Sequence, residues 1–375
     1  MDFDFPDELK QLRETAREFL RERCPTGVAR RVLEGGEQLD RPLWREMANM
    51  GWTGASIPEE YGGAGLGRLA VCVLAEEIGR AIAPVPFASS VYLATEALLL
   101  FGSPAQKQYH LTRLASGAST GTFAYAERPG VVDPIRLESS ATEGKLSGVK
   151  APVADGEAAD FAVVAVRSAE GVPSLYLVDL AAPGVTRETV STFDPSRGHA
   201  RIRFDGAPAE PLPGAIGPGA IRALLDRAAV MMAFEQVGGA EAALEMARDY
   251  ALTRYAFGRP IGSFQAIKHK LADIYVALEL ARSNAYYGAW ALHSDAAELP
   301  IAAATARIAA CEAGWVATKE NIQTHGGMGY TWQFDCHLYY RRAKLLGLAL
   351  GSGREWKHRL IAELRARNVT GVEAA

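Results

Sequence analysis

Arg254–Ala272, RYAFGRPIGSFQAIKHKLA, separates two long helical patterns and is more idiosyncratic than either. Its Gly-Arg-Pro-Ile-Gly break at Gly258–Gly262 has to reverse the chain. Pro260 fixes its own φ and pushes Arg259 out of helix, while Gly258 and Gly262 tolerate positive φ. A Gly/Pro cluster alone predicts an ordinary helix-hairpin loop. The aromatic and amide residues around the turn, Phe257, Phe264 and Gln265 among them, ask for a further purpose.

Upstream of the turn, Ile221–Thr253 is one continuous helical pattern. Downstream, Ile267, Leu271, Ile274, Leu278, Ala281, Ala285, Ala289 and Leu292 step by three or four, an apolar stripe suited to a bundle. The next helix is expected over Pro300–Thr324, stopping at His325-Gly326-Gly327, where glycine supplies a cap. Shorter helices are expected at Asp335–Leu346 and Arg354–Arg367.

The N-terminal third carries helical spacing at Pro6–Arg23, Leu43–Met50, Leu69–Ala83 and Tyr92–Phe101, broken by the glycine-rich Pro58–Gly67. The texture then changes. Short β-branched runs at Gly121–Tyr125, Leu137–Ala141, Phe161–Val166, Ser174–Asp179 and Ala200–Phe204 predict a compact β-barrel or sandwich. The expected architecture is α+β and multi-domain: an N-terminal α-helical domain over 1–117, a middle β domain over 118–212, and a C-terminal four-helix bundle over 213–375.

A chain of 375 residues, 49% hydrophobic and 22% charged, has room for two or three domains and excludes disordered and fibrous classes. A net charge of -4 and a pI near 6.0 supply no basic face for nucleic acid or an anionic membrane. Cys24, Cys72, Cys311 and Cys336 are too scattered for a zinc pattern and too few for a disulfide framework, so a reducing, cytoplasmic setting is expected. His325 and His337 lack metal-ligand spacing, and no metal site is expected. The opening MDFDFPDELKQLRETAREFL has no basic region followed by an apolar core, and no apolar run reaches spanning length, so neither signal peptide nor membrane span is expected.

Two motifs then carry a family resemblance that covers nearly the whole chain. Arg254–Gln265 closely matches the RxxFGxPIxxFQ signature of the acyl-CoA dehydrogenases, and Gln323–Tyr330, QTHGGMGY, matches their QxxGGxGY segment, with Arg-Ala-Lys following at Arg342–Lys344. The resemblance implies FAD as cofactor and a homo- or hetero-oligomer, dimer or tetramer. It also implies that signature residues reach across a subunit interface to the cofactor's pyrophosphate and adenosine half. By motif position those residues are Arg254, Phe257, Gln265, Gln323 and Gly327. The implied reaction is α,β-dehydrogenation of an acyl-CoA thioester: a carboxylate takes the α-proton, the β-hydrogen leaves as hydride, and hydrogen-bond donors hold the thioester oxygen.

Several positions depart from the family pattern. Its commonest catalytic glutamate falls on Leu350, and the alternative base position, near the start of the long helix, falls on Ala228 or Ala229. Asp226 matches a position near bound CoA, and the backbone N–H of Leu350 remains available toward a thioester oxygen. Glu235 is a weak candidate base, about 10 Å along the helix from Ala228; the competing account is a buried glutamate tied to another helix. In the β region, Ala126-Glu127-Arg128-Pro129-Gly130 and Pro152-Val153-Ala154 stand where the family has Thr-Glu-Pro-Gly and Trp-Ile-Thr. Two hydroxyls and a tryptophan expected beside the flavin ring are therefore missing. Two functions stay open: a flavoenzyme acting on an acyl-CoA, and a catalytically silent subunit that completes the FAD site of a heteromeric acyl-CoA dehydrogenase.

Overall fold

The computed structural model describes residues 5–128 and 134–373. Six helices come first: α1 Asp7–Arg23, α2 Thr26–Gly35, α3 Arg41–Asn49, α4 Gly67–Arg80, α5 Glu96–Phe101 and α6 Pro104–Ala115. Eight strands follow: β1 Gly121–Ala124, β2 Ser140–Thr142, β3 Lys145–Ala154, β4 Phe161–Arg167, β5 Pro173–Asp179, β6 Val185–Thr189, β7 His199–Pro208 and β8 Glu210–Ile216. The chain then forms α7 Pro218–Thr253, the two-residue strands β9 Tyr255–Ala256 and β10 Arg259–Pro260, and helices α8 Gln265–His293, α9 Leu299–His325, α10 Cys336–Leu346 and α11 Gly353–Glu373.

Local chemistry accounts for these boundaries. Ser103 accepts from the Gln106 N–H while the Gln106 side chain accepts from the Ser103 N–H, a reciprocal box that starts α6 with Pro104 at its first position. Asp40 caps α3 by accepting from the Leu43 N–H at 2.8 Å. Ahead of α5, Ala88–Thr95 winds as a π-helix, so the turn sequence begins four residues earlier than the Tyr92 start expected from apolar spacing.

By packing, the chain divides into two compact units. One holds the described parts of Met1–Ala29, Cys72–Ala83 and Ala229–Ala375, and it is helical. Within it α4 and α7 touch backbone to backbone. A β-carbon on Gly79 would lie 1.8 Å from the Glu235 carbonyl oxygen, and one on Gly238 would lie 1.8 Å from that of Glu76. The buried Glu76 and Glu77 are met there by Arg13, Arg17 and Arg282 from α1 and α8.

The second unit, Arg30–Val71 and Pro84–Ala228, contains the sheet. Its strands run in the order β6-β7-β3-β2-β4-β5-β8, with β1 pairing β4 in parallel. The outcome is one mixed eight-stranded sheet. Leu146, Val153, Val164, Val178, Ile202 and Phe204 pack together on its buried side. Between β3 and β4, the left-handed Asp155 (φ 53) accepts hydrogen bonds from Ser89 and Arg197, all three buried.

Candidate functional site

The register Arg259↔Ala256 and Pro260↔Tyr255 leaves Phe257 and Gly258 as a two-residue turn. Their φ values are 52 and 76, both positive, as the type I′ hairpin requires. The reversal therefore falls on Phe257–Gly258. Gly262, expected to exploit positive φ, has another use: a β-carbon there would stand 3.0 Å from the Ala251 carbonyl oxygen, so it permits close packing onto the end of α7. The Ile261 N–H donates to the Arg254 carbonyl at 2.8 Å and closes the base of the hairpin.

Phenylalanine is a costly residue at a left-handed position, by about 1–2 kcal/mol. Phe257 nevertheless holds it while 95% exposed. Its ring meets Phe264 edge-on at 6.2 Å, and the Arg259 guanidinium lies 4.1 Å over the same Phe264 ring. Strain at an exposed aromatic tip is a mark of function.

Two side-chain contacts collect the remaining motif residues at one end of the helical unit. Lys270, five residues into α8, reaches Glu320 near the end of α9 at 2.8 Å, so the first turns of α8 lie beside the last turns of α9. Tyr250, at the end of α7, stacks on His325 with ring centroids 4.0 Å apart. Burial pushes the His325 imidazole below the usual histidine range, and its Nδ1 lies 2.9 Å from the Asn321 carbonyl oxygen. Arg254, Phe257, Gln265, Gln323 and Gly327 consequently share one end, and all five are exposed. Gly326 ends α9 with φ 59.

This set has the chemistry of a dinucleotide clamp. The Arg254 guanidinium suits pyrophosphate oxygens, the Gln265 and Gln323 amides suit ribose or base edges, and Gly327 lets backbone approach. The packing of Tyr250, stacked, and Phe334, edge-on, against His325, which steadies this end, was not anticipated; the signal for it was aromatic residues flanking both motifs.

The positions nearer the chemistry are different. Leu350 is buried at 5% exposure, and its carbonyl accepts from Trp356 Nε1 at 3.0 Å. The loop it occupies is fixed from beneath by the fully buried Arg307, which donates to the Leu346 carbonyl and, at 2.5 Å, to Gln236 Oε1. Ala228 and Ala229 are fully buried, and Asp226 is 4% exposed. Glu235 has no exposed surface, and its Oε1 lies 4.0 Å from Nη1 of Arg342, which also donates to the Ala83 carbonyl. That geometry matches the buried glutamate tied to another helix.

In the sheet unit, Pro129 and Gly130 lie outside the described residues. The Ala126 carbonyl is taken by the Ala151 N–H at 2.8 Å, and the Ala154 carbonyl by Thr122 Oγ1 at 2.6 Å. Burial would raise the Glu127 carboxyl, but Lys150 Nζ at 2.8 Å and the Ser139 and Glu138 N–H groups outweigh it and hold the group at about 2. Ala126, Pro152, Val153 and Ala154 offer no side-chain donor to a flavin ring. The clamp residues fit a flavin dinucleotide's adenosine and pyrophosphate half, whereas the side chains at the ring positions do not fit its ring.

Helices, a mixed sheet and further helices, with the two signature motifs at one end of the last helices, are the architecture of an acyl-CoA dehydrogenase-type protein. Residues 6–118 match the acyl-CoA dehydrogenase N-terminal domain and residues 217–363 the C-terminal domain, and the chain belongs to the acyl-CoA dehydrogenase family, whose members are FAD-dependent oxidoreductases. It is 36% identical to acyl-CoA dehydrogenase IpdE2 of Mycobacterium tuberculosis, over 96% of this chain and 98% of that one. It is 31% identical to the mitochondrial short-chain specific acyl-CoA dehydrogenase of Mus musculus, over 93% of this chain and 88% of the relative. Among solved structures, a variant of the Tcur3481-Tcur3483 steroid ACAD superposes with a TM-score of 0.89 at 33% identity, covering 97% of this chain and 99% of that one. The ChsE4-ChsE5 complex of Mycobacterium tuberculosis does so with a TM-score of 0.89 at 29% identity, with the same coverage of each chain. Among the described residues, no helix is long and apolar enough to cross a membrane.

Proposed function

We propose that this chain is the cofactor-clamping subunit of a heteromeric, FAD-dependent acyl-CoA dehydrogenase. Its Arg254, Phe257, Gln265, Gln323 and Gly327 hold the adenosine and pyrophosphate half of a flavin whose ring and catalytic glutamate belong to a neighbouring, non-identical subunit. The observation that carries this reading is a contrast within one chain. Phe257 is strained and 95% exposed at the clamp, while Leu350 and Ala228 are apolar and buried at both family base positions. Bound flavin supplies a two-electron acceptor for the β-hydrogen of the thioester. This chain's part is to fix that cofactor's distant end and to exclude water from it.

Two structural relatives support a mixed assembly, since they are described as pairs of different subunits, and one of them as a steroid ACAD. Ring-bearing acyl-CoA thioesters are therefore the substrates to try first. Asp226, at the family position near bound CoA, would then serve the CoA side of the assembly. Cys24, Cys72, Cys311 and Cys336 form no disulfide with one another, which suits a reducing, cytoplasmic compartment.

The test is flavin content. The chain is purified alone and after co-expression with a family subunit that carries the glutamate. We expect little flavin alone, one FAD per pair of subunits in the assembly, and at least tenfold weaker retention in Arg254→Ala. A chain that alone retains one FAD per subunit, bleached anaerobically by acyl-CoA, would overturn the reading.

A further inference from the structure

The sheet unit has a cleft of its own. It opens between α6, the start of β4 and the end of β5, has a volume of about 820 Å³, and shares no residue with the clamp, the family base positions or the segments 126–130 and 152–154. Gln106, Tyr109, His110 and Arg113 recur at helical spacing on α6 and form one wall. Gln106 fixes that wall to the sheet: its Nε2 donates to the Pro211 carbonyl at 3.1 Å and to Glu210 Oε2 at 3.3 Å. Aromatic rings then grade outward from the interior. Phe161 is 4% exposed, His110 packs tilted against it at 4.6 Å, and Tyr109, 60% exposed, meets His110 edge-on at 4.9 Å. Burial keeps His110 below the usual histidine range, so this wall presents an uncharged imidazole at neutral pH.

The polar groups around these rings are of both signs, and both keep capacity to bind. Arg187 Nη1 donates to the carbonyls of Glu157 and Ala159 at 2.7 and 3.0 Å, and the Arg113 guanidinium lies 5.3 Å over the Tyr109 ring. Neither arginine forms an ion pair among the described residues. Asp160 Oδ2 accepts from the Thr120 N–H at 2.7 Å, and Asp179 Oδ1 from the Ala181 N–H at 2.8 Å. The other oxygen of each has no partner among the described residues. A purely cationic ligand would face the two arginines, and an anion without donors would face Asp160, Asp179 and Glu210. Ionised carboxylates only accept, and guanidinium only donates. The ligand that satisfies both brings an anionic group, hydroxyl or amine donors, and a planar ring for the aromatic wall. A ribonucleoside phosphate has all three, and the cleft is of the size that small-molecule and cofactor sites take.

We infer that this cleft is a second nucleotide site, one that takes a purine ribonucleoside diphosphate with its base against His110 and Tyr109, its ribose hydroxyls donating to the aspartates, and its phosphates on Arg113 and Arg187. The 3′-phosphate of coenzyme A would set charge against those carboxylates, so the site selects nucleotides whose ribose hydroxyls are both free. It is independent of the clamping-subunit reading, which concerns residues of the helical unit.

The experiment titrates ADP by calorimetry into the whole chain carrying Arg254→Ala, so that the clamp does not compete for the probe. ADP should bind at one site per chain. Adding Arg113→Glu or Tyr109→Ala, both at exposed positions, should weaken it at least tenfold with the melting temperature of the chain retained. Coenzyme A should displace ADP only at concentrations at least tenfold higher than unlabelled ADP requires. Photolysis of azido-ADP should label α6, at Tyr109 or His110. Undiminished binding in both added variants, displacement by coenzyme A as readily as by ADP, a label only outside the cleft, or no saturable binding would each overturn the inference. None of these bears on the clamp, which stands or falls on flavin retention in the assembly.

Discussion

Phe257 gives the sharpest test of function against folding, because the two demands on it point in opposite directions. Glycine at its left-handed φ of 52 removes strain and loses no buried contact, since the ring is 95% exposed. Phe257→Gly should therefore keep or raise thermal stability, by up to about 1 kcal/mol, while flavin retention in the assembly falls; a protein that melts earlier and keeps its flavin would remove the clamp from consideration. Glu235 calls for the reverse comparison. Neutralising it leaves Arg342 in the interior without its facing carboxylate, so Glu235→Gln should lower stability by about 3 kcal/mol in urea titration. Unchanged stability with abolished turnover would instead make it a catalytic base. The turn was legible in the sequence because a Gly/Pro cluster is a local signal, whereas a cofactor role for the residues around it came only from their resemblance to the family motifs. The Glu235–Arg342 pairing was not, because a partner on a different helix leaves no periodic trace. The strain at Phe257 itself was hidden for a similar reason: Gly258 advertised the turn, but only the pairing of β9 with β10 fixes which two residues occupy it.

At the scale of elements, the contact between α4 and α7 depends on two glycines that are silent as sequence signals. A methyl group at Gly238 would overlap the Glu76 carbonyl oxygen at 1.8 Å, and backbone cannot rotate aside as a side chain can. Gly238→Ala should destabilise the chain by about 3 kcal/mol or more, despite alanine's better helix propensity, whereas Gly219→Ala in the first turn of the same helix meets nothing within 4 Å and should be neutral or stabilising. Equal melting temperatures for the two variants would contradict the close approach. The long helices α7, α8 and α9 were readable because apolar residues recur at helical spacing over many turns. β3, β6 and β8 were not: β3 contains Gly148 and Pro152, β8 contains Pro211 and Pro213, and β6 is a short, largely exposed edge. Proline and glycine read locally as breaks, and an edge strand tolerates proline because one of its sides needs no donor. The middle β domain was legible from its short strands, but the order β6-β7-β3-β2-β4-β5-β8 of its mixed sheet was not, since strand spacing reports how many strands exist and not how they are ordered.

Over the whole molecule, the titratable groups distribute unequally between the two units, and that inequality predicts different responses to acid. In the sheet unit, burial pushes both His110 and His199 below the usual histidine range, and the His110 ring packs tilted against Phe161 with centroids 4.6 Å apart. A histidine held neutral by the fold contributes stability that is intact above the unfolded pKa of about 6.5 and is lost as pH falls through the depressed folded value. Glu127, held at about 2, adds nothing to this window, because its contribution is lost only below the unfolded carboxylate range of about 4. The helical unit has one such histidine, His325, and an opposing group: burial raises the Glu76 carboxyl despite Arg282 and Arg13, so the fold takes up a proton there more readily than the unfolded chain and gains stability on acidification. Between pH 7 and pH 5.5 the protection of amides in β4 and β7 against hydrogen exchange, corrected for intrinsic rate, should therefore fall more than that of amides in α8 and α9. His199→Gln, which removes one of the two histidines from the sheet unit, should reduce that difference. Equal losses in the two units, or a sheet unit that gains protection at pH 5.5, would show that the buried histidines do not set the acid limit of the fold.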